Sequence, residues 1–241
     1  MTIIDKNIFV LTGAGISRES GIKTFREKDG LWDNYRIEDV CTTDAFLKNP
    51  DFVNNFYNER KRIYNSKNIL PNKGHYALAD LEKLCNKNFL LITQNIDDLH
   101  QRAGSKNLLN MHGSLERLFC MYCGYSIPYD FQINTSYVCK NCEKSGRVRV
   151  DVVWFGEQPK YLEEIYNYLD TTDVFISIGT SNNVYPAAGF IDYLLNKKKR
   201  VATFEFNTES TSKTSFFDQK FKGPSSKTLP KFIELIKQGI Y

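Results

Sequence analysis

Five short apolar runs, each cut off by small or polar residues, constrain this chain more than any other feature. They cover residues 8–11, 89–93, 108–111, 173–178 and 201–206. Runs this short and this apolar suit strands covered on both faces. Helix-like segments lie between them, at 50–66, 73–86, 159–169, 186–196 and 228–238. Strands alternating with helices imply an α/β fold built on a doubly wound parallel sheet. Such a sheet gathers its ligand contacts where the carboxyl ends of the strands open onto one rim. The exits here are Gly13-Ala14-Gly15-Ile16-Ser17, Gln94-Asn95-Ile96-Asp97, His112-Gly113-Ser114, Gly179-Thr180-Ser181 and Asn207-Thr208-Glu209. One rim therefore collects glycines, amides, a carboxylate and an imidazole.

In the first exit, two glycines one residue apart let backbone N–H groups and a helix start approach a phosphate. A plain tight turn explains the same residues, and Arg18 stands where the usual dinucleotide fingerprint has its third glycine. The coincidence of five polar exits favours the nucleotide reading. Residues 23–32 follow, polar and aperiodic, and carry Phe25 and Trp32. They read as a lid or as a surface excursion. Residues 210–222 read as a loop, and residues 149–153 resume the strand pattern before Trp154-Phe155-Gly156-Glu157.

The 241 residues carry a net charge of +4, and the one basic cluster is residues 197–200. It reads as a solvated helix end, so no specific nucleic-acid partner is expected. No run approaches the ~18 apolar residues of a membrane span. The first strand starts within ten residues of Met1, which leaves no room for a cleavable leader. The expectation is a cytoplasmic monomer. Cysteines in such a compartment point to metal or free thiols rather than disulfides. Cys120, Cys123, Cys139 and Cys142 form two CxxC pairs fifteen residues apart, a spacing that suits Zn²⁺ in a small ribbon. Four thiolates leave no open position, so such a site is structural. Redox dithiols or core cysteines are the competing reading. Cys41 and Cys85 read as buried thiols.

On the helix at 50–66, Val53, Phe56, Tyr57, Ile63 and Tyr64 form an apolar stripe, and Arg60 falls on it, three residues after Tyr57. Arg60 either snorkels past the core or is aimed with Tyr57 at an anion. His75 reads as structural. His112, at a strand end beside Gly113 and Ser114, reads as a satisfied structural group or as a general base near neutral pH.

Together these residues resemble the sirtuins, NAD-dependent protein-lysine deacylases. The matching stretches are Gly13 through Ser17 with Phe25-Arg26, Gln94 through Asp97, His112-Gly113, the CxxC pairs, Val152-Val153-Trp154-Phe155-Gly156-Glu157, Gly179-Thr180-Ser181 and Asn207-Thr208-Glu209. Tyr57 and Arg60 further resemble the class III branch, which prefers succinyl, malonyl and glutaryl groups. The resemblance implies a Rossmann-like NAD-binding domain over 1–37, 70–115 and 150–241. It implies a small domain over 38–69 and 116–149, a helical module plus a four-cysteine zinc ribbon.

The resemblance also implies that NAD is consumed, yielding nicotinamide and 2′-O-acyl-ADP-ribose. Its pyrophosphate would lie on Gly13, Ala14, Gly15, Ile16 and Ser17. Its adenosine side would lie near Gly179, Thr180, Ser181, Asn207, Thr208, Glu209 and Ser225. Ser20, Trp32, Gln94 and Ile96 complete the cofactor contacts. Asn95 and Asp97 would hold the nicotinamide end, and His112 would be the general base. Phe25 would cap the intermediate and Arg26 support its loop. An acylated-lysine peptide would lie as an added strand along Val153, Phe155 and Gly156. Arg18, where the family has a small residue, and Val150, where it has proline, are departures. An ADP-ribosyltransferase using the same NAD site is the first alternative. A zinc-ribbon binding module and a dehydrogenase are weaker ones.

Overall fold

The computed structural model describes residues 3–23, 35–66, 68–85, 88–197 and 199–241, and all that follows concerns these. The expectations for Phe25, Arg26 and Trp32 lie outside the described residues. In chain order the elements are β1 (Ile8–Thr12), α1 (Ile37–Val40), α2 (Thr43–Lys48), α3 (Pro50–Tyr64), α4 (Lys73–Cys85) and β2 (Phe89–Thr93). Then come α5 (Leu99–Ala103), β3 (Leu108–Asn110), β4 (Gly113–Cys120), β5 (Ser126–Pro128) and β6 (Val148–Val152). The chain ends with α6 (Leu162–Thr171), β7 (Val174–Ile178), α7 (Phe190–Leu195), β8 (Ala202–Asn207), β9 (Gln219–Lys222) and α8 (Ser225–Lys237).

The expected doubly wound sheet is present, with order β3-β2-β1-β7-β8-β9 and every pairing parallel. β1 is buried throughout because both its faces are covered. Ile8 and Val10 point into one core with α4 and α8. Phe9 and Leu11 point into the other with α6 and α7. The strand order reverses between β1 and β7, the place where open α/β sheets bind ligands.

A second sheet, β5-β4-β6, is antiparallel and carries the residues 149–153 run. It shares a core with α1, α2 and α3 that includes Phe46, Phe56, Tyr57, Leu118 and Trp154. α3 starts where Asn49 accepts the Phe52 amide and Pro50 fills the first turn. Val150, one of the two departures, is buried opposite Leu118, next to a shift in the β4–β6 register. The Val150 side chain fills an apolar position in the core shared with α1, α2 and α3.

Residues 210–222 are not simply a loop, because β9 adds a sixth parallel strand at the sheet edge. Its sequence, Gln-Lys-Phe-Lys, has the charged, half-exposed character that edge strands use against further pairing. Phe221 alone turns inward, stacked on Phe206 at 4.5 Å between ring centres. The last helix begins at Ser225, not at residue 228, with Pro224 at its N-cap. The 186–196 segment opens with a 3-10 turn at Ala187–Gly189 before α7, and the 159–169 helix is displaced to α6.

The exits of β1 and β7 interlock. Gly15 N–H donates to the Gly179 carbonyl at 2.8 Å, and Gly13 N–H to Ile178 at 3.0 Å. A Cβ on Gly15 would stand 2.7 Å from Gly179 Cα, and one on Gly13 2.9 Å from Gly179 O. Gly179 itself has φ of +59°, and a Cβ there would meet Ile16 N at 2.6 Å. Glycine at 13 and 15 is thus required first by backbone packing against residue 179. Gly15→Ala is expected to cost ~1–3 kcal/mol through overpacking, seen as a melting temperature lower by roughly 3–10 °C in a circular-dichroism scan. An unchanged melting temperature contradicts this account.

Candidate active site

The polar groups predicted for the rim converge at the carboxyl ends of β1, β2 and β7. Asn95 Nδ2 donates to Gly13 O at 3.2 Å and to Ser17 Oγ at 3.1 Å. Ser17 Oγ–H donates to Asp97 Oδ2 at 3.0 Å, and Leu99 N–H donates to Asp97 Oδ1 at 3.1 Å. Burial still outweighs these donors and pushes the Asp97 carboxyl up to about 6. Gln94 Nε2 donates to Thr180 Oγ1 at 3.1 Å, and Asn207 Nδ2 to Thr180 O at 2.9 Å, so three strand exits are tied together.

The backbone donors of the glycine loop are mostly spent inside the fold. Besides Gly13 and Gly15, Ile16 N–H donates to Gly13 O and Ser17 N–H to Ala14 O. Ala14 N–H has no acceptor among the described residues. Two buried oxygens nearby also lack protein partners, Asn95 Oδ1 and Ser225 Oγ. Such orphaned groups fit a polar ligand that supplies the missing donors. Asn95, Ile96 and Asp97 line one pocket with Ala14, Ser17 and Tyr64. Ser20 Oγ accepts from Asn72 Nδ2 beside this loop. Ser181, Thr208 and Glu209 lie exposed at the far end of the rim.

His75, taken as structural from sequence, is fully buried and reaches Ser17 Oγ at 3.4 Å through Nε2. Its Nδ1 accepts the Asn72 amide, so the proton sits on Nε2 and faces Ser17. Burial pushes its pKa down to about 4, keeping the ring neutral. Ser17 thereby receives from His75 and Asn95 and must donate to Asp97. The place of His75 on the inner face of the first turn of α4 is the one signal that the sequence held.

His112 follows β3 and is half-buried. Its Nδ1 lies 3.1 Å from the Gln94 carbonyl. A carbonyl only accepts, so Nδ1 carries the proton and Nε2 keeps a free lone pair. Burial lowers its pKa, although the Gln94 contact opposes the shift. The same residue's carbonyl accepts Val153 N–H at 2.9 Å, which sets the start of the 153–157 turn. Phe155 N–H donates to Cys41 O at 3.0 Å, while the Phe155 side chain and Gly156 are exposed. Glu157 clamps the turn from behind. It accepts from Trp154 N–H, Thr43 Oγ1 and the buried Arg149 Nη2 at 2.9, 2.9 and 2.5 Å.

Tyr57 and Arg60 share α3 but have separate partners. The Tyr57 hydroxyl donates to Cys41 Sγ at 3.6 Å and accepts from Trp154 Nε1 at 2.9 Å. The Arg60 guanidinium lies 4.1 Å over the Phe56 ring and 5.2 Å from that of Tyr35. Its Nη1 pairs with Glu59 at 2.8 Å.

The four cysteines form one cluster, with all sulfur atoms within 4.8 Å of one another. The Cys120–Cys142 and Cys123–Cys139 sulfurs are each 3.7 Å apart. A tetrahedron of Zn–S bonds of about 2.3 Å has sulfurs roughly 3.8 Å apart. The cluster fits one structural zinc ion.

A family model described as the Sir2 family matches residues 13–186. The chain belongs to the Sir2 family. It is 53% identical over 228 residues to an NAD-dependent protein deacylase of Bdellovibrio bacteriovorus, covering 95% of each chain. It is 44% identical over 233 residues to an NAD-dependent protein deacylase of Salmonella typhimurium, covering 97% of this chain and 85% of that one. Among solved structures, a Sir2 homologue in complex with NAD has a TM-score of 0.86 and 36% identity, covering 100% of this chain and 93% of that one. Sir2Af2 bound to a myristoylated histone peptide has a TM-score of 0.72 and 33% identity, covering 96% of this chain and 91% of that one.

Two predictions follow from this sirtuin's geometry. A general base works unprotonated, and in the base role expected of His112 a pKa below the ordinary ~6.5 keeps the ring unprotonated to lower pH. The pH profile of kcat/KM should therefore be flat from pH 8 to 7 and fall only below about 6.5, and His112→Ala should bind NAD yet not turn over. An acid limb centred above pH 7, or ordinary turnover by the variant, removes the base role. The purified chain should also hold one zinc ion. Cys123→Ala should lose the metal by atomic absorption and unfold at lower temperature, because binding energy at such a site is folding energy.

Proposed function

We propose that this NAD-dependent protein deacylase removes acidic acyl groups from lysine, namely succinyl, malonyl or glutaryl, and acetyl more weakly. The observation that carries the reading is the Arg60 side chain, only 9% exposed and laid on aromatic rings. A buried cation is costly unless it meets an anion, and the carboxylate that meets it here, Glu59, is 42% exposed and comes from the solvent side. Tyr64, one turn after Arg60 on the same helix, lines the pocket with Asp97.

NAD, when bound, supplies the acceptor for the acyl group and releases nicotinamide. The chain's own residues do the rest. Asn95, through its unpartnered Oδ1, and Asp97 hold the nicotinamide end. Ser17 fixes both by its hydrogen bonds. His112 Nε2 takes the proton of a hydroxyl that must become a nucleophile. Gly13 to Ser17 carry the pyrophosphate, with Ala14 N–H free to donate. Thr180, Asn207 and Ser225 mark the adenosine side. The acylated peptide adds as a strand between the 153–157 turn and the residues after Ser181. There the Val153 carbonyl accepts the lysine-side N–H, and the exposed Phe155 and Gly156 form the wall.

No helix among the described residues is long and apolar enough to cross a membrane. The proposal includes a cytoplasmic location, where four thiolates stay reduced and metal-bound.

The test compares acetyl-, succinyl-, malonyl- and glutaryl-lysine versions of one peptide with NAD. Losing a charge-assisted contact to a desolvated carboxylate costs on the order of 2–5 kcal/mol. Arg60→Met should then lower kcat/KM for the acidic chains by about 30- to several-thousand-fold, with deacetylation retained. A parallel fall on all four acyl chains rejects the specificity.

A further inference from the structure

We infer that Glu59 is a specificity-determining residue, a built-in carboxylate that occupies Arg60 and must be displaced by an acidic acyl chain. The inference rests on the acid-pocket reading above. Adjacent residues on a helix do not ordinarily face each other. The pair forms here because the Arg60 side chain folds back over Phe56, one turn earlier, with its guanidinium 4.1 Å from that ring. Its Nη1 then meets Glu59 Oε2 at 2.8 Å.

The two partners differ in exposure. The Arg60 side chain is 9% exposed and the Glu59 side chain 42%. The cation is therefore fixed in the interior, and the anion reaches it from solvent. The Arg60–Glu59 pair is by itself neutral. A second carboxylate, brought by the acyl chain, makes it net negative unless Glu59 swings out, and its exposure gives it room to do so. Lys61, the next cation along α3, does not offset that charge, since it is held by Glu116 at 2.5 Å. A neutral acetyl group meets no such competition. Glu59 thus narrows the preference for acidic over neutral chains.

A strut that orients Arg60 for the substrate would have the opposite effect, so the sign of one substitution decides. Wild type, Glu59→Gln, Arg60→Met and the double variant are compared on succinyl- and acetyl-lysine versions of one peptide with NAD. Glu59→Gln should raise the succinyl-to-acetyl ratio of kcat/KM by roughly three- to tenfold, mainly through a lower KM for the succinyl peptide. In the Arg60→Met background the same change should do nothing, because its effect passes through the guanidinium. An unchanged or lowered ratio in Glu59→Gln overturns the inference while leaving the acid pocket intact, provided Arg60→Met collapses the ratio. If Arg60→Met leaves the ratio as in wild type, the acid pocket itself is wrong and the inference falls with it.

Discussion

The contact between the first and fourth parallel exits in chain order governs the site. Gly15 and Gly179 approach so closely that neither tolerates a Cβ, and a backbone hydrogen bond of 2.8 Å closes the gap. The contact lies at the switch point of the sheet, where strand order reverses between β1 and β7. Thr180, one residue further on, receives Gln94 from one side and Asn207 from the other. The exits of β1, β2, β7 and β8 are therefore keyed, directly or through one side chain, to this backbone crossing.

Around it the buried polar groups form a directed chain of donors. His75 and Asn95 give to Ser17, and Ser17 gives to Asp97. With every hydroxyl proton assigned, the one open acceptor on this chain of groups is Asn95 Oδ1. Buried polar groups are costly when unpaired. A site that leaves one acceptor open while satisfying its neighbours is prepared for a donor from outside.

The sequence made the central strands legible because burial on both faces leaves an unbroken apolar run, as in Ile8-Phe9-Val10-Leu11. It hid β9, whose lysines belong to an exposed edge, and β4, whose half-buried pattern breaks at a register shift. α1 and α2 span four and six residues, too short for helical periodicity to show. The zinc cluster was readable because spacing alone brings CxxC sulfurs together. The partners of Tyr57 were not, since Cys41 and Trp154 lie 16 and 97 positions away and meet it only through packing. The same holds for Glu59, an ordinary surface acid until the Arg60 side chain is seen to fold back over Phe56.

β4 begins directly after His112 and ends at Cys120. The imidazole and a metal-ligating sulfur are thus the two ends of a single strand, roughly 25 Å apart. β6 runs back beside it and releases Val153 at the peptide edge. A zinc ion held by the four cysteines would therefore fix the far end of the strand that starts beside the imidazole. A one-residue slip would turn every side chain of β4 to the opposite face. One residue inserted between His112 and Cys120 would therefore uncouple the two ends of this strand.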